Sequence, residues 1–151
     1  ARIQGLLGPE AVRTAHLRGG RDPADRVAFT PASDGGAAGG PRAVPWPGQV
    51  PAPAPAIVYA EPLPAEVVDA AGATVTVDGR GLLGSLPSRL RVRRRSWSAI
   101  TAWAGPWLVD ERWWDPAVHR RLVRLQVTTD QQVAYLLRLT GGRWWVEAVY
   151  D

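Results

Sequence analysis

Val133-Ala134-Tyr135-Leu136-Leu137-Arg138-Leu139-Thr140-Gly141-Gly142-Arg143-Trp144-Trp145-Val146-Glu147-Ala148-Val149-Tyr150 is two apolar runs separated by a Gly-Gly pair. Two-residue hairpin turns need positive φ, which glycine adopts without strain, so Gly141-Gly142 predicts an antiparallel hairpin. Leu139 then faces Trp144, Leu137 faces Val146, Tyr135 faces Ala148 and Val133 faces Tyr150, and this side is expected to be the core. The other side pairs Arg138 with Trp145, an arrangement suited to a guanidinium on an indole. Upstream, Val123, Leu125 and Val127 alternate in the same way. They reach the same face only if the loop around Asp130 has an odd number of residues, because a slip of one turns every side chain over. A loop of three or five is predicted.

Further upstream, Trp103-Ala104-Gly105-Pro106-Trp107-Leu108-Val109-Asp110-Glu111-Arg112-Trp113-Trp114-Asp115 carries four of the eight tryptophans. A buried indole removes about 150 to 250 Å² from water, roughly 4 to 6 kcal/mol gross. The expectation is that these rings and Trp144-Trp145 build one shared core, with Trp97, Ala99, Thr101 and Trp103 on the inward parity of a strand. Ile57-Val58-Tyr59, Glu66-Val67-Val68 and Thr74-Val75-Thr76-Val77 read as short strands, the last turning at Asp78-Gly79. Leu90 and Val92 alternate with Arg89, Arg91 and Arg93, giving a strand with one wet, basic face. Short turns and little helical periodicity after residue 57 predict a mainly β fold, a small antiparallel sheet or partly closed barrel over 57–151.

The rest of the chain reads differently. Ile3, Leu6 and Leu7 have helical spacing that stops at Gly8-Pro9, and the apolar face is already under way at Arg2, as in a fragment of something longer. Ala11 to Leu17 suits a short strand, followed by a turn at Gly19-Gly20; residues 1–29 thus read as a short α/β fragment. From Thr30 to Ala56 the composition turns to Gly, Pro and Ala. Ordering those 27 residues would cost on the order of 40 kcal/mol at about 1.5 kcal/mol each, which Val44, Trp46 and Val50 cannot offset. A disordered linker over 30–56 is expected, in which Trp46 either docks back, meets a partner or stays an exposed ring.

All 18 basic residues are arginine, the net charge is +4, and cysteine is absent. Disulfides and thiolate metal sites are therefore excluded. No apolar run approaches the roughly 18 residues of a membrane span, and a reducing cytoplasm is the default. Catalysis finds little support. Asp110, Glu111 and Asp115 cluster, with His119 four residues after Asp115, yet Pro116 makes Asp115 a helix cap, and ion pairing with Arg112, Arg120 or Arg121 is the expected role of this cluster. No catalytic residue, metal site or cofactor is expected. Arg89, Arg91, Arg93, Arg94 and Arg95, with Trp97 close behind, suit phosphate contact and base stacking on single-stranded nucleic acid. They suit an acidic protein face equally well, since arginine and tryptophan are enriched at interfaces. Trp107, Trp113, Trp114 and Arg93 to Arg95 are the candidate partner-binding residues.

Read together, these segments resemble the carboxyl-terminal region of actinobacterial ImuB, a Y-family-polymerase-like protein of bacterial mutagenic DNA repair. Arg2-Ile3-Gln4-Gly5-Leu6-Leu7-Gly8-Pro9-Glu10-Ala11-Val12 resembles the end of that family's little-finger region, and Gly20 to Arg26 the segment after it. Pro45-Trp46-Pro47-Gly48 resembles its linker. Trp103 to Trp107, Asp110 to Asp115 and Gly142 to Asp151 resemble its terminal domain, the last two stretches most specifically. The resemblance implies a non-catalytic adaptor, cytoplasmic and nucleoid-associated, that links an ImuA-type protein, an error-prone C-family polymerase and the sliding clamp. The polymerase-like region is not in this chain, and the clamp-binding peptide is expected upstream of Ala1.

Overall fold

The computed structural model describes residues 2–17, 22–32 and 52–150, so Trp46 and most of the expected linker lie outside the described residues. The chain divides into two compact units, Ala1–Ala54 and Pro55–Asp151. In the first, helix α1 (Arg2–Leu7) stops at Gly8, whose φ of 93° no other residue adopts cheaply. Strands β1 (Arg13–Leu17) and β2 (Val27–Pro31) pair antiparallel, Arg13 with Pro31 through Leu17 with Val27. Thr30 and Pro31 thus lie in a ladder, inside the stretch expected to be linker. Ile3, Leu6, Leu7 and Phe29 remain exposed in this unit.

The second unit is mainly β, as its alternation predicts. Its strands are β3 (Ile57–Val68), β4 (Arg89–Val92), β5 (Ser98–Glu111), β6 (Arg120–Thr129), β7 (Ala134–Thr140) and β8 (Arg143–Tyr150). Every neighbouring pair is antiparallel, and β8 returns to β3 with Ile57 opposite Val149, so the sheet closes into a six-stranded ring. Its interior is filled by Val67, Leu90, Leu125, Val127, Leu137, Trp144 and Val146. Val75 joins them from the segment between β3 and β4, where only isolated bridges form, Val68 to Thr74 and Val77 to Leu83. That segment is a folded loop instead of the expected strand. Asp69 and Asp78 carboxylates accept backbone N–H groups of Ala73, Arg80 and Leu82 at 2.8 to 2.9 Å. The Trp144 indole N–H donates to Val75 O at 2.8 Å, tying the loop across that end of the ring.

The loop after β6 has the predicted odd length. Thr129 N donates to Val133 O at 3.0 Å, which leaves Asp130, Gln131 and Gln132, the last with φ 60° as a three-residue hairpin loop requires. Leu125 accordingly faces Leu137. In the last hairpin Leu139 pairs with Trp144, Arg138 with Trp145 and Leu137 with Val146, as the Gly-Gly turn predicts. Beyond that point the pairing jumps to Leu136 with Ala148, Tyr135 with Val149 and Ala134 with Tyr150. Glu147 is the extra residue, a bulge that turns over the second half of β8. It overrides the expected facing of Tyr135 to Ala148 and Val133 to Tyr150.

The tryptophans do not build the core. Among the described ones only Trp144 is fully buried; Trp97, Trp103, Trp107, Trp113 and Trp114 are exposed. The parity expected for β5 is inverted, with Ile100 and not Trp97 or Trp103 packed on the interior. Aliphatic side chains from five strands fill so narrow a ring, and one indole completes it.

Candidate functional site

Three places on the ring carry chemistry. The first is the basic strand. Arg91 crosses to Glu66 with two hydrogen bonds of 3.2 and 2.6 Å, their residues being direct register partners. Its guanidinium lies 4.5 Å from the Trp97 ring centre and that of Arg89 lies 5.5 Å away, so the cation–π contact forms here. Arg93 does not continue the alternation. Arg93 and Arg94 have φ of 49° and 58°, and Arg95 N donates to Val92 O at 3.0 Å, a tight turn built with positive φ at both central positions. Asparagine and glycine take such positions readily, whereas arginine is strained there. Sequence alternation could not find this, because the turn has arginines where its usual residues would be.

The second place is the far end of the β5–β6 hairpin. Pairing between β6 and β7 begins at Val123, so Arg120–Leu122 with Val109–Glu111 form a two-stranded extension past the neighbouring strand. The turn beyond it holds Trp113 and Trp114, 71% and 70% exposed, edge to face at 5.9 Å. Trp107 and Leu108 are exposed on the same hairpin. The Asp115 carboxylate accepts Ala117 N at 3.1 Å, the capping role expected, although the segment after Pro116 is a turn and not a helix. Asp110 takes His119 Nε2 at 2.7 Å. Among the described residues no group of three or more His, Cys, Asp or Glu side chains could hold a metal ion.

The third place escaped sequence reasoning. Register partners Trp107, Arg124, Arg138 and Trp145 form one row across β5, β6, β7 and β8. Arg124 has the opposite parity to Leu125 and so faces away from the ring interior, yet it is buried. The bulge residue Glu147 receives its Nε and Nη2 at 2.9 and 3.1 Å, both side chains being only 4% exposed. In the same row the Arg138 Nε and Trp145 Nε1 atoms are buried without an acceptor among the described residues. The available signal was a single carboxylate inside Trp144-Trp145-Val146-Glu147-Ala148-Val149 and a single arginine inside Leu122-Val123-Arg124-Leu125.

No family model, curated protein or solved structure matches the chain. No described helix is long and apolar enough to cross a membrane.

Proposed function

We propose that residues 57–151 are a non-catalytic docking domain, the adaptor region of a bacterial mutagenic translesion complex. In this reading it recruits an ImuA-type protein and an error-prone C-family polymerase in the cytoplasm, at the nucleoid. The observation that carries the docking role is the Trp113-Trp114 turn. A soluble domain gains nothing by holding two large indoles in water, and large exposed aromatic rings at the tip of an extension are the usual anchors of a protein interface. Trp107 and Leu108 enlarge the apolar surface of the same hairpin. The partners themselves come from the ImuB resemblance.

A second reading, single-stranded nucleic-acid binding, is favoured by the exposure of Arg89, Arg93, Arg94 and Arg95. Against it, the Trp97 ring that would stack on a base is already engaged by Arg89 and Arg91. One experiment separates the two. Co-purification of the full chain with the ImuA-type protein and the polymerase is compared for the Trp113→Ala/Trp114→Ala variant and for an Arg93→Glu/Arg94→Glu/Arg95→Glu variant. The docking role predicts that the first loses its partners and keeps its fold. Loss of single-stranded DNA binding in the second, with partner capture intact in both, overturns it.

A further inference from the structure

Pairing between β4 and β5 is limited to Arg89 with Ala99 and Leu90 with Ser98. Past these two pairs the strands part. A cavity of about 300 Å³ opens between them at the end of the ring away from the tryptophan turn. Its floor is the ring interior, Leu63, Leu90 and Val146. The same lining includes Arg93 and Arg95 from the strained turn, Tyr59 and Tyr135, which also pack against the core, and Ser96, Ser98 and Gln131. No acidic side chain lines it, and neither arginine forms an ion pair among the described residues.

We propose that this mouth binds a single carboxylate borne on a small apolar group, with the apolar part on the Leu63–Leu90–Val146 floor and the carboxylate between Arg93, Arg95 and the tyrosine hydroxyls. The Leu63, Leu90 and Val146 side chains offer no donor or acceptor, so a nucleobase edge against them would go unmet, whereas a branched aliphatic group would not. A guanidinium fork matches the two oxygens of a carboxylate, and hydrogen bonds to a charged acceptor are the strong ones. Burial pushes the Tyr135 phenol above its ordinary range, and nearby Tyr59 adds to this against Arg95, so the hydroxyl stays a donor at neutral pH. The paired positive-φ arginines acquire a purpose: the strained turn holds Arg93 at the rim instead of letting it continue the strand. Open barrel ends with an apolar floor and a few convergent polar groups are where small ligands bind.

The chemistry has two sources, a free branched carboxylic acid or the carboxyl terminus of a polypeptide ending in an aliphatic residue. Amide resonances of the full chain are followed while four probes are added. They are 4-methylpentanoate, a short flexible peptide ending in leucine, the same peptide as its terminal amide, and inorganic phosphate. Either carboxylate should shift Tyr59, Tyr135 and Val146, and the probe that binds tighter names the source. The amide and phosphate should bind at least about tenfold more weakly, the loss expected for one charge-assisted hydrogen bond or for the apolar contact. Arg95→Glu should weaken the carboxylate by a similar factor, whereas Arg94→Glu, on the same turn but not lining the cavity, should change it less than about threefold. Equal binding of acid and amide, tighter binding of phosphate, equal loss in the two arginine variants, or no shift with either carboxylate overturns the inference. None of these results touches the tryptophan turn, so the docking role is tested independently.

Discussion

Replacing Glu147 with leucine should be the most damaging single change on the outer side of the ring. The carboxylate answers a guanidinium at 2.9 and 3.1 Å, and both side chains are 4% exposed. Removing one partner of a buried pair costs about 3 to 5 kcal/mol, because the remaining charge stays desolvated and unanswered. Arg124 has a further interaction besides Glu147, so the lower end, about 3 kcal/mol, applies. For a domain of this size that corresponds to a fall in Tm of roughly 12 to 24 °C. Arg124→Met combined with Glu147→Leu removes both charges and should recover most of the loss, since a buried pair gains little over well-packed apolar groups. Urea denaturation of wild type, both single variants and the double variant closes the cycle. Additive losses in the double variant, or a Glu147→Leu loss below about 1 kcal/mol, would refute the account.

Trp144→Phe removes the donor to Val75 O and leaves that carbonyl buried, so a loss of about 1 to 3 kcal/mol is expected, with faster hydrogen exchange across residues 69–88. Arg94→Gly relieves a φ of 58° and should leave the domain no less stable, gaining up to about 1 kcal/mol in urea denaturation, whereas Arg94→Val should destabilise it. The Tyr135 phenol is raised by burial first, then by Tyr59, from the ordinary 10.0. Folding thus favours its neutral form, a contribution fully present below pH 10.0 and lost as pH rises through the higher folded value; Tyr135→Phe should remove that alkaline loss in denaturation curves. Trp113→Ala/Trp114→Ala should change stability by less than about 0.5 kcal/mol per site, which circular dichroism on heating will check.

The strand content and the alternation of the last two hairpins were legible because burial on one face imposes a period of two. The odd loop and the Leu139–Trp144 to Leu137–Val146 register followed from that alone. The bulge at Glu147 was not legible, since the partner of its carboxylate lies 23 residues away on β6, across the intervening β7. The tryptophans misled for a different reason. Indole size predicts a large gain on burial but not that the ring has room, and the interior of six strands admitted Trp144 while leaving the rings of β5 and its turn outside. Arg93 reads as a continuation of the strand because arginine carries no turn signal. Of the candidate residues, Trp107, Trp113, Trp114 and Arg93 to Arg95 are exposed, whereas Tyr59 and Tyr135, which read only as strand residues, meet at one cavity from β3 and β7.

Ile57 and Val149 are bonded neighbours, so the second unit receives and releases the backbone almost at one point. Such a module can be transplanted: spliced into a surface loop of an unrelated carrier, it would stretch the host's two loop ends hardly at all. The same geometry allows new termini at Gly141-Gly142 once the old ones are joined by a few residues, giving a permuted chain with every native ladder retained except the severed turn. The tryptophan turn would then sit beside the new ends instead of opposite them.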